Sequence, residues 1–204
     1  MDLLLGSIGA YVLGSIPFAY LLVRMLVGVD VRTVGSGNSG ATNASRAFQP
    51  PWQVPMFLLI YLLDLAKGYL PTWLAWRHFA GDHGPVVVVG AAAILGHCTS
   101  PFLKFRGGKG VATTTGVFAF LAPVVLGVAL VMFFLVRGLT RQVFLGSIAI
   151  GLTLAIGVIV SAPRTAFGER WPVTAFALVI AAYLFYTHRS NIQNFRLNGT
   201  DEDG

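Results

Sequence analysis

Residues 111–136 read VATTTGVFAFLAPVVLGVALVMFFLV, an apolar run that contains a single proline, Pro123. A transmembrane helix needs about 20 apolar residues, so the whole run is long enough for one tilted crossing of a bilayer. Proline interrupts a helix because it lacks a backbone N–H, and here it leaves pieces of roughly 12 and 13 residues, which are short for two crossings. This stretch therefore decides the number of membrane spans and, with it, the fold.

The rest of the chain has the same apolar character. Five further apolar runs lie at about 3–27, 54–76, 85–103, 143–161 and 172–187. The chain of 204 residues is 55% hydrophobic and only 11% charged, whereas soluble proteins average about 25% charged residues. Unbroken apolar runs are typical of helices, because barrel strands would alternate apolar and polar residues. We predict an all-α polytopic membrane protein, and we count the first run as a span because Asp2 and its length are unlike a signal peptide.

The positions of the cationic residues decide between six and seven spans. With seven crossings and the N-terminus outside, ten lysine and arginine residues lie on the cytoplasmic side and three lie outside. With six crossings the split is eight to five, so the positive-inside rule favours seven. We therefore predict seven transmembrane helices, an N-terminus outside, a cytoplasmic C-terminus, and short fourth and fifth spans. Residues 1–200 would form a single transmembrane domain and 201–204 a short acidic tail.

Because these cations mark membrane topology, the net charge of +6 does not indicate nucleic-acid binding. The single cysteine, Cys98, cannot form an intrachain disulfide and has no neighbours at metal-ligand spacing. We expect neither a metal nor a cofactor.

The first polar motif is GSGNSGATNASR at residues 35–46. Its glycines allow several backbone N–H groups to face one anion, and Arg46 offers a guanidinium fork that suits phosphate oxygens. Ser36, Asn38, Thr42 and Asn43 add side-chain donors. The motif is thus a candidate phosphate site, although a solvated flexible loop has a similar composition.

The second motif is GHCTSPFLKFRGGKGVAT at residues 96–113. It places a glycine-rich bend before a helix start, where free N–H groups, the helix dipole and Lys109 can all stabilise an anion. Gly110 stands where a P-loop needs a hydroxyl residue, so nucleotide hydrolysis is not predicted. His97 either contacts this loop or caps the preceding helix.

Two further places carry polar residues. Asp64 and Lys67 stand three residues apart in an apolar run, on one helical face where they can pair, and pairing or burial against protein is nearly required inside a membrane. HRSNI at 188–192 follows the last run and is either a basic anchor or part of an anion site. No histidine is followed by aspartate five positions later, and no hydrolase triad is apparent, so catalysis would depend on positioning and anion stabilisation.

Four stretches together resemble one family. They are GSGNSGATNASR at 35–46, DLAKGYLP at 64–71, GHCTSPFLKFRGGKGVAT at 96–113 and HRSNI at 188–192. In this order they are similar to the bacterial acyl-phosphate:glycerol-3-phosphate acyltransferases, the PlsY-type integral membrane enzymes. The resemblance implies transfer of an acyl group from acyl phosphate, not acyl-CoA or acyl carrier protein, to the 1-hydroxyl of sn-glycerol 3-phosphate. The products would be 1-acylglycerol 3-phosphate and inorganic phosphate.

The resemblance also implies roles for individual positions. It implies catalytic roles for Ser36, Arg46, Lys109, His188 and Asn191. Together with the motifs themselves, it predicts substrate binding by Gly37, Asn38, Gly40, Thr42, Asn43, Lys67, His97, Lys104, Gly107, Gly108 and Gly110. One departure concerns Phe144, where family members often have serine; either Ser147 substitutes for that contact or the contact is absent.

The resemblance places the protein in the bacterial cytoplasmic (inner) membrane as a multi-pass protein with its active site facing the cytoplasm. Its partners would be the two substrates, membrane lipid and, as a functional link, an enzyme that produces acyl phosphate. The alternative class is a transporter of an anionic phosphate-containing solute, which would hold its site at mid-membrane between repeats. No repeat is found, and the polar motifs gather on one predicted face.

Overall fold

The structure is a computed structural model that describes residues 2–198, and every regular element in this range is helical. The α-helices are α1 Leu3–Ser15, α2 Phe18–Leu26, α3 Ala41–Ser45, α4 Gln53–His78, α5 His83–Cys98, α6 Val111–Leu121, α7 Pro123–Thr140, α8 Val143–Ser161, α9 Trp171–Thr187 and α10 Arg189–Asn198. Short 3-10 helices cover Val31–Thr33 and Pro101–Leu103. The all-helical prediction is confirmed. The acidic tail predicted at 201–204 and the domain boundary at residue 200 lie outside the described residues.

Five helical stretches within residues 2–198 are long and apolar enough to cross a membrane. They are Leu3–Leu26, Gln53–His78, His83–Leu103, Pro123–Thr140 and Val143–Ser161. A sixth would be the pair α9 and α10, which meet at a bend of 44°. The apolar helix α6, with 11 residues, is shorter than these spans.

The stretch at 111–136 is broken in two, as Pro123 predicted. Ala122 leaves the helical region with φ −153° and ψ 66°, and Pro123 occupies the first turn of α7, where its missing N–H costs nothing. Helix α6 is short, as expected, but α7 reaches 18 residues because it continues past the apolar run through Arg137 to Thr140. A cation is favourable in the last turn of a helix, so the end of the apolar run does not end α7.

A second break separates α1 from α2 within the first apolar run. Pro17 lies between the two helices, and the Ile16 carbonyl at this break accepts hydrogen bonds from the Phe18 N–H and from the Lys67 ammonium. The break therefore directs a backbone acceptor into the protein interior, where α4 supplies its partner.

Glycines bring pairs of helices into backbone contact. A Cβ at Gly68 of α4 or at Gly116 of α6 would overlap a carbonyl of the other helix. Likewise, a Cβ at Gly14 of α1 would overlap a carbonyl of α5, and a Cβ at Gly96 of α5 would overlap a carbonyl of α1. Small residues at helix contacts allow this close approach in membrane proteins. The packing places α6 against α4 and α1 against α5.

Candidate active site

A large cavity of about 590 Å³ brings the three polar motifs together. The predicted site residues in its wall are Asn38, Gly40, Thr42, Asn43, His97, Lys109, Gly110 and His188. They come from the 35–46 loop, the end of α5, the start of α6 and the bend after α9. The grouping of three distant segments in one site, expected from the topology, is thus present in the structure.

Asn43 organises the 35–46 loop from inside. Its side chain is 1% exposed, and its Nδ2 donates to the carbonyls of Val31, Val34 and Asn38 at 3.2, 2.8 and 2.9 Å. Its Oδ1 accepts from the Ser36 N–H at 3.0 Å. The amide is therefore occupied by backbone groups of the loop and of the turn before it, which differs from the predicted use of Asn43 as a donor to substrate.

The segment before the loop is held by a local ion pair. Asp30 caps the 3-10 helix by accepting from the Arg32 N–H, and the Arg32 guanidinium lies 2.6 Å from its carboxylate. The hydrogen bond from Arg32 lowers the pKa of Asp30 below its ordinary value. This pair fixes the start of the turn that leads into the first motif.

Ser36, Gly37 and Arg46 lie beside the cavity but not in its wall. The Ser36 Oγ is buried without a hydrogen-bond partner among the described residues. Gly37 adopts φ +71°, a left-handed conformation that favours glycine. Arg46 is half-buried, and its side chain packs against Gly35.

The GGKG loop at residues 107–110 is held by the end of α5. Gly107 N–H donates to the Cys98 carbonyl at 3.0 Å, and Gly108 N–H donates to the His97 carbonyl at 3.2 Å. Gly110 takes φ +82° and directly precedes α6, whose first residues line the cavity. The loop thus presents Lys109 at a helix start, the local arrangement that the sequence predicted.

Lys109 connects the second motif to HRSNI at 188–192, the third polar motif. Its ammonium donates to the Asn191 Oδ1 at 2.5 Å, and Asn191 is 4% exposed. His188 is 3% exposed, lines the cavity and has its Nδ1 2.8 Å from the Leu184 carbonyl. Because a carbonyl only accepts, Nδ1 carries a proton, and a neutral ring would then have Nε2 as its acceptor nitrogen.

Asp64, Lys67 and His97 form a buried cluster beside the cavity. Lys67 Nζ lies 2.8 Å from Asp64 Oδ1, which confirms the predicted pairing on one face of α4. The same Nζ lies 3.1 Å from His97 Nδ1. Each of the three side chains is 7% exposed or less. Asp64 is thus a neutralised carboxylate that is not placed as a free base.

The arrangement suits binding of an anion next to an apolar chain. Lys109 and the start of α6 supply positive charge and N–H donors at the cavity wall. Apolar side chains of α4 and α7 form much of the remaining wall, namely Phe57, Leu58, Leu130, Phe133 and Phe134. Within residues 2–198 no group of His, Cys, Asp and Glu has the geometry of a metal site.

The family model described as glycerol-3-phosphate acyltransferase matches residues 4–198. This chain belongs to that family. The acyltransferase is 39% identical over 191 residues to a glycerol-3-phosphate acyltransferase of Syntrophomonas wolfei, an alignment that covers 94% of this chain and 91% of that one. It is 43% identical over 196 residues to a glycerol-3-phosphate acyltransferase of Anaeromyxobacter sp. strain K, and the alignment covers 93% of each chain.

Solved structures agree with the family. Crystal structures of PlsY (YgiH), described as an integral membrane glycerol 3-phosphate acyltransferase, exist in a glycerol 3-phosphate form and a lysophosphatidic acid form. The first superimposes on the acyltransferase with a TM-score of 0.88 at 35% identity and covers 98% of this chain and 94% of the other. The second gives 0.85 at 34% identity. The acyltransferase is therefore an enzyme and a multi-pass membrane protein.

Some predicted binding residues of this acyltransferase lie away from the cavity wall. Lys104 is exposed, with φ +54°, and does not line the cavity. Lys67 borders only a small cavity of about 10 Å³, together with Gly108. Gly107 acts through its backbone bond to α5. Spacing along the chain could not reveal which predicted residues line the large cavity, because side-chain directions depend on how the helices pack.

Several wall residues were not predicted as site residues. Tyr61, Asp64 and Arg137 line the large cavity of the acyltransferase. Asp64 could have been found from its charge inside an apolar run, whereas Tyr61 carries no such signal. Phe144 and Ser147 both line the cavity as well, so Ser147 stays a candidate for the contact that Phe144 does not supply.

Proposed function

We propose that the chain transfers an acyl group from acyl phosphate to the 1-hydroxyl of sn-glycerol 3-phosphate, which yields 1-acylglycerol 3-phosphate and inorganic phosphate. Acylation of glycerol 3-phosphate for phospholipid synthesis follows from the family, and the acyl-phosphate donor is the step that the proposal adds. One observation carries it: the wall of a single cavity combines Lys109 and a helix start with many apolar side chains. Such a cavity matches a donor that has a phosphate head and an acyl tail.

In this proposal the acyl tail lies along the apolar wall between α4 and α7. Phe57, Leu58, Leu130 and Phe134 line that side, and Leu58 and Phe134 are also among the exposed apolar residues. In a membrane protein such residues face lipid, so the tail enters sideways from the bilayer. The reactive head then lies at Lys109, Gly110 and His188.

The five residues proposed as catalytic bind or stabilise the negative charge of the substrates and of the transition state, directly or by positioning one another. Lys109 and the first turn of α6 stabilise the oxyanion or the donor phosphate, since a preorganised cation in a water-poor site is worth far more than one in water. Ser36 and Arg46 hold phosphate and orient glycerol. Asn191 positions Lys109 through their hydrogen bond, and His188 completes the acceptor site.

The donor phosphate itself accepts the proton in the proposed step. The glycerol 1-oxygen forms a bond to the acyl carbon, and the bond from that carbon to the phosphate oxygen breaks with its electron pair. The hydroxyl proton passes to the leaving phosphate, so atoms and charges balance. Asp64, the acid in the cavity wall, is paired with Lys67 and is not placed as a free base, which supports proton transfer to the substrate phosphate.

We also propose seven spans, with α6 as a short fourth span, the N-terminus outside and the C-terminus in the cytoplasm of a bacterial inner membrane. The distribution of loop cations supports this orientation. The active site then faces the cytoplasm, where a partner enzyme would supply acyl phosphate. Reporter domains fused to the two ends test the orientation: an outside signal from the N-terminus and a cytoplasmic signal from the C-terminus support an odd number of spans such as seven, and signals from one side contradict it.

The decisive experiment measures phosphate release by detergent-purified protein supplied with palmitoyl phosphate and glycerol 3-phosphate, with palmitoyl-CoA as a parallel donor. We expect release that requires both substrates, formation of lysophosphatidic acid, and no product from the CoA donor. Product from palmitoyl-CoA alone would contradict the acyl-phosphate donor. No product from either donor in folded protein would contradict the whole proposal and favour a carrier.

A further inference from the structure

The buried cluster of Asp64, Lys67 and His97 lies between the two cavities. Asp64 and His97 line both the large cavity and the small one of about 10 Å³, and Lys67 lines the small one. Lys67 is 3% exposed, so its ammonium cannot serve as a general anion site from solvent. Substrate binding by Lys67 was predicted from the sequence, but the contacts of its ammonium point to a different role.

The Lys67 ammonium makes two hydrogen bonds, to Ile16 and His97, and one ion pair, with Asp64. The Nζ lies 2.9 Å from the Ile16 carbonyl at the break between α1 and α2, 2.8 Å from Asp64 Oδ1, and 3.1 Å from His97 Nδ1. It also lies 5.4 Å from the centre of the Phe18 ring, within cation–π range. Lys67 thus ties three helical elements to one point.

These contacts determine the protonation of His97. An ammonium can only donate, so His97 Nδ1 must accept and carries no proton. Asp64 Oδ1 lies 3.7 Å from Nδ1, which is too far for a hydrogen bond that would compete. The neutral ring then has its proton on Nε2, the opposite tautomer to that of His188, whose Nδ1 donates to the Leu184 carbonyl.

The Nε2 edge of His97 faces the GGKG loop. A Cβ at Gly108 would overlap Nε2, so the loop backbone runs directly beside this nitrogen. The carbonyl of His97 accepts from the Gly108 N–H, which fixes the loop relative to the ring. The next residue is Lys109, and His97 shares the large cavity wall with it.

We propose that Lys67 is a positioning residue that locks His97 in the Nε2–H tautomer, so that His97 donates a hydrogen bond to a phosphate oxygen of the substrate held at the GGKG loop. This rests on the proposed function, since it assigns a donor for a phosphate of that reaction. His97 is then a binding residue that cannot act as a general base. Asp64 balances the buried charge of Lys67 and touches no substrate.

The tautomer is tested without substrate. In protein labelled with 15N-histidine, the nitrogen shifts distinguish a protonated from an unprotonated ring nitrogen, and His97→Gln identifies the signal among the four histidines. We expect His97 with protonated Nε2 and unprotonated Nδ1, and His188 with the reverse. A protonated Nδ1 at His97 would overturn the proposal. Because no acyl transfer is measured, this result is independent of the proposed function.

The role in binding is tested by two matched amides. In His97→Gln the amide nitrogen takes the place of Nε2 and keeps a donor at the loop, whereas in His97→Asn it takes the place of Nδ1. We expect His97→Gln to keep KM for acyl phosphate or glycerol 3-phosphate within a few-fold, and His97→Asn to raise one of them about 10- to 100-fold. Equal KM values in the two folded variants would overturn the proposal.

The positioning role of Lys67 is tested with charge kept neutral. Lys67→Met alone would leave the Asp64 charge buried and unpaired, so it is combined with Asp64→Asn. We expect the folded double variant to show a mixed tautomer signal for His97 and the same rise in KM as His97→Asn. An unchanged tautomer and unchanged KM would overturn the role of Lys67. If the wild-type protein forms no product, the proposed function fails, while the tautomer measurement still stands.

Discussion

The two glycine-rich loops have similar compositions but are built in different ways. The 35–46 loop folds around the side chain of Asn43, which binds two backbone groups of the loop and two of the turn before it. The GGKG loop is held by its own backbone against the end of α5, which leaves Lys109 at the cavity. One loop therefore uses a polar side chain as scaffold, and the other uses backbone as scaffold and keeps its cation for chemistry. Composition alone does not distinguish these roles.

The largest expected effect comes from removing the cation of the GGKG loop. Lys109→Ala should lower kcat about 100- to 1000-fold, because a contact that stabilises a developing anion is lost. Steady-state phosphate release measures it, with protein abundance checked alongside. Arg106→Ala is the matched control, since Arg106 is an exposed cation of the same loop and should retain near-normal turnover. Equal activity in both variants would contradict the role of Lys109.

The backbone scaffold of the same loop is tested by Gly107→Ala. A Cβ there would overlap the His97 and Cys98 carbonyls, which cannot move without shifting α5. Displacement of the loop by about 1 Å should lower kcat/KM roughly 100-fold. Gly127→Ala in α7 is the control, because a Cβ at Gly127 meets nothing within 4 Å. If Gly107→Ala were as active as Gly127→Ala, the loop would not depend on this contact.

Removing the Asn43 side chain, which holds the 35–46 loop, should lower the stability of the folded protein. Asn43→Ala leaves buried backbone groups without partners and should cost about 2 kcal/mol of unfolding free energy. Thermal unfolding in detergent measures the lower Tm. Asn38→Ala keeps the backbone carbonyl that Asn43 uses, so we expect its Tm to stay near that of the wild type. A normal Tm for Asn43→Ala would mean that the loop is not held from inside.

The smallest effect is expected outside both loops, at the pair of Asp30 and Arg32. Both groups are near solvent, so Arg32→Ala should leave Tm unchanged within error at pH 7. The lowered pKa of Asp30 fixes the sign: any stabilisation is present above its unfolded-state pKa and is lost as pH falls through the lower folded-state pKa. Measuring Tm of the wild type and of Arg32→Ala as the pH is lowered checks this sign. A Tm of Arg32→Ala below that of the wild type at neutral pH would contradict the expected absence of an effect.

Much of the fold could be predicted from the sequence, because membrane helices depend on local properties. Apolar runs and Pro123 predicted the helices and the break before α7, although not that α7 continues to Thr140. The pairing of Asp64 with Lys67 followed from helical spacing. Their common partner His97 did not, because it is supplied by another helix.

The sequence by itself determined the helical membrane class, the interrupted run at 111–136, the three polar motifs and the family. These depend on hydropathy, on the missing N–H of proline and on residue order, all of which are local. Only the tertiary structure decided that Asn43 serves the loop, that Lys67 fixes the tautomer of His97 in our proposal, and that Lys104 stays away from the cavity. The reason is physical: a polar side chain can pair only with what the packed helices bring within about 3 Å of it.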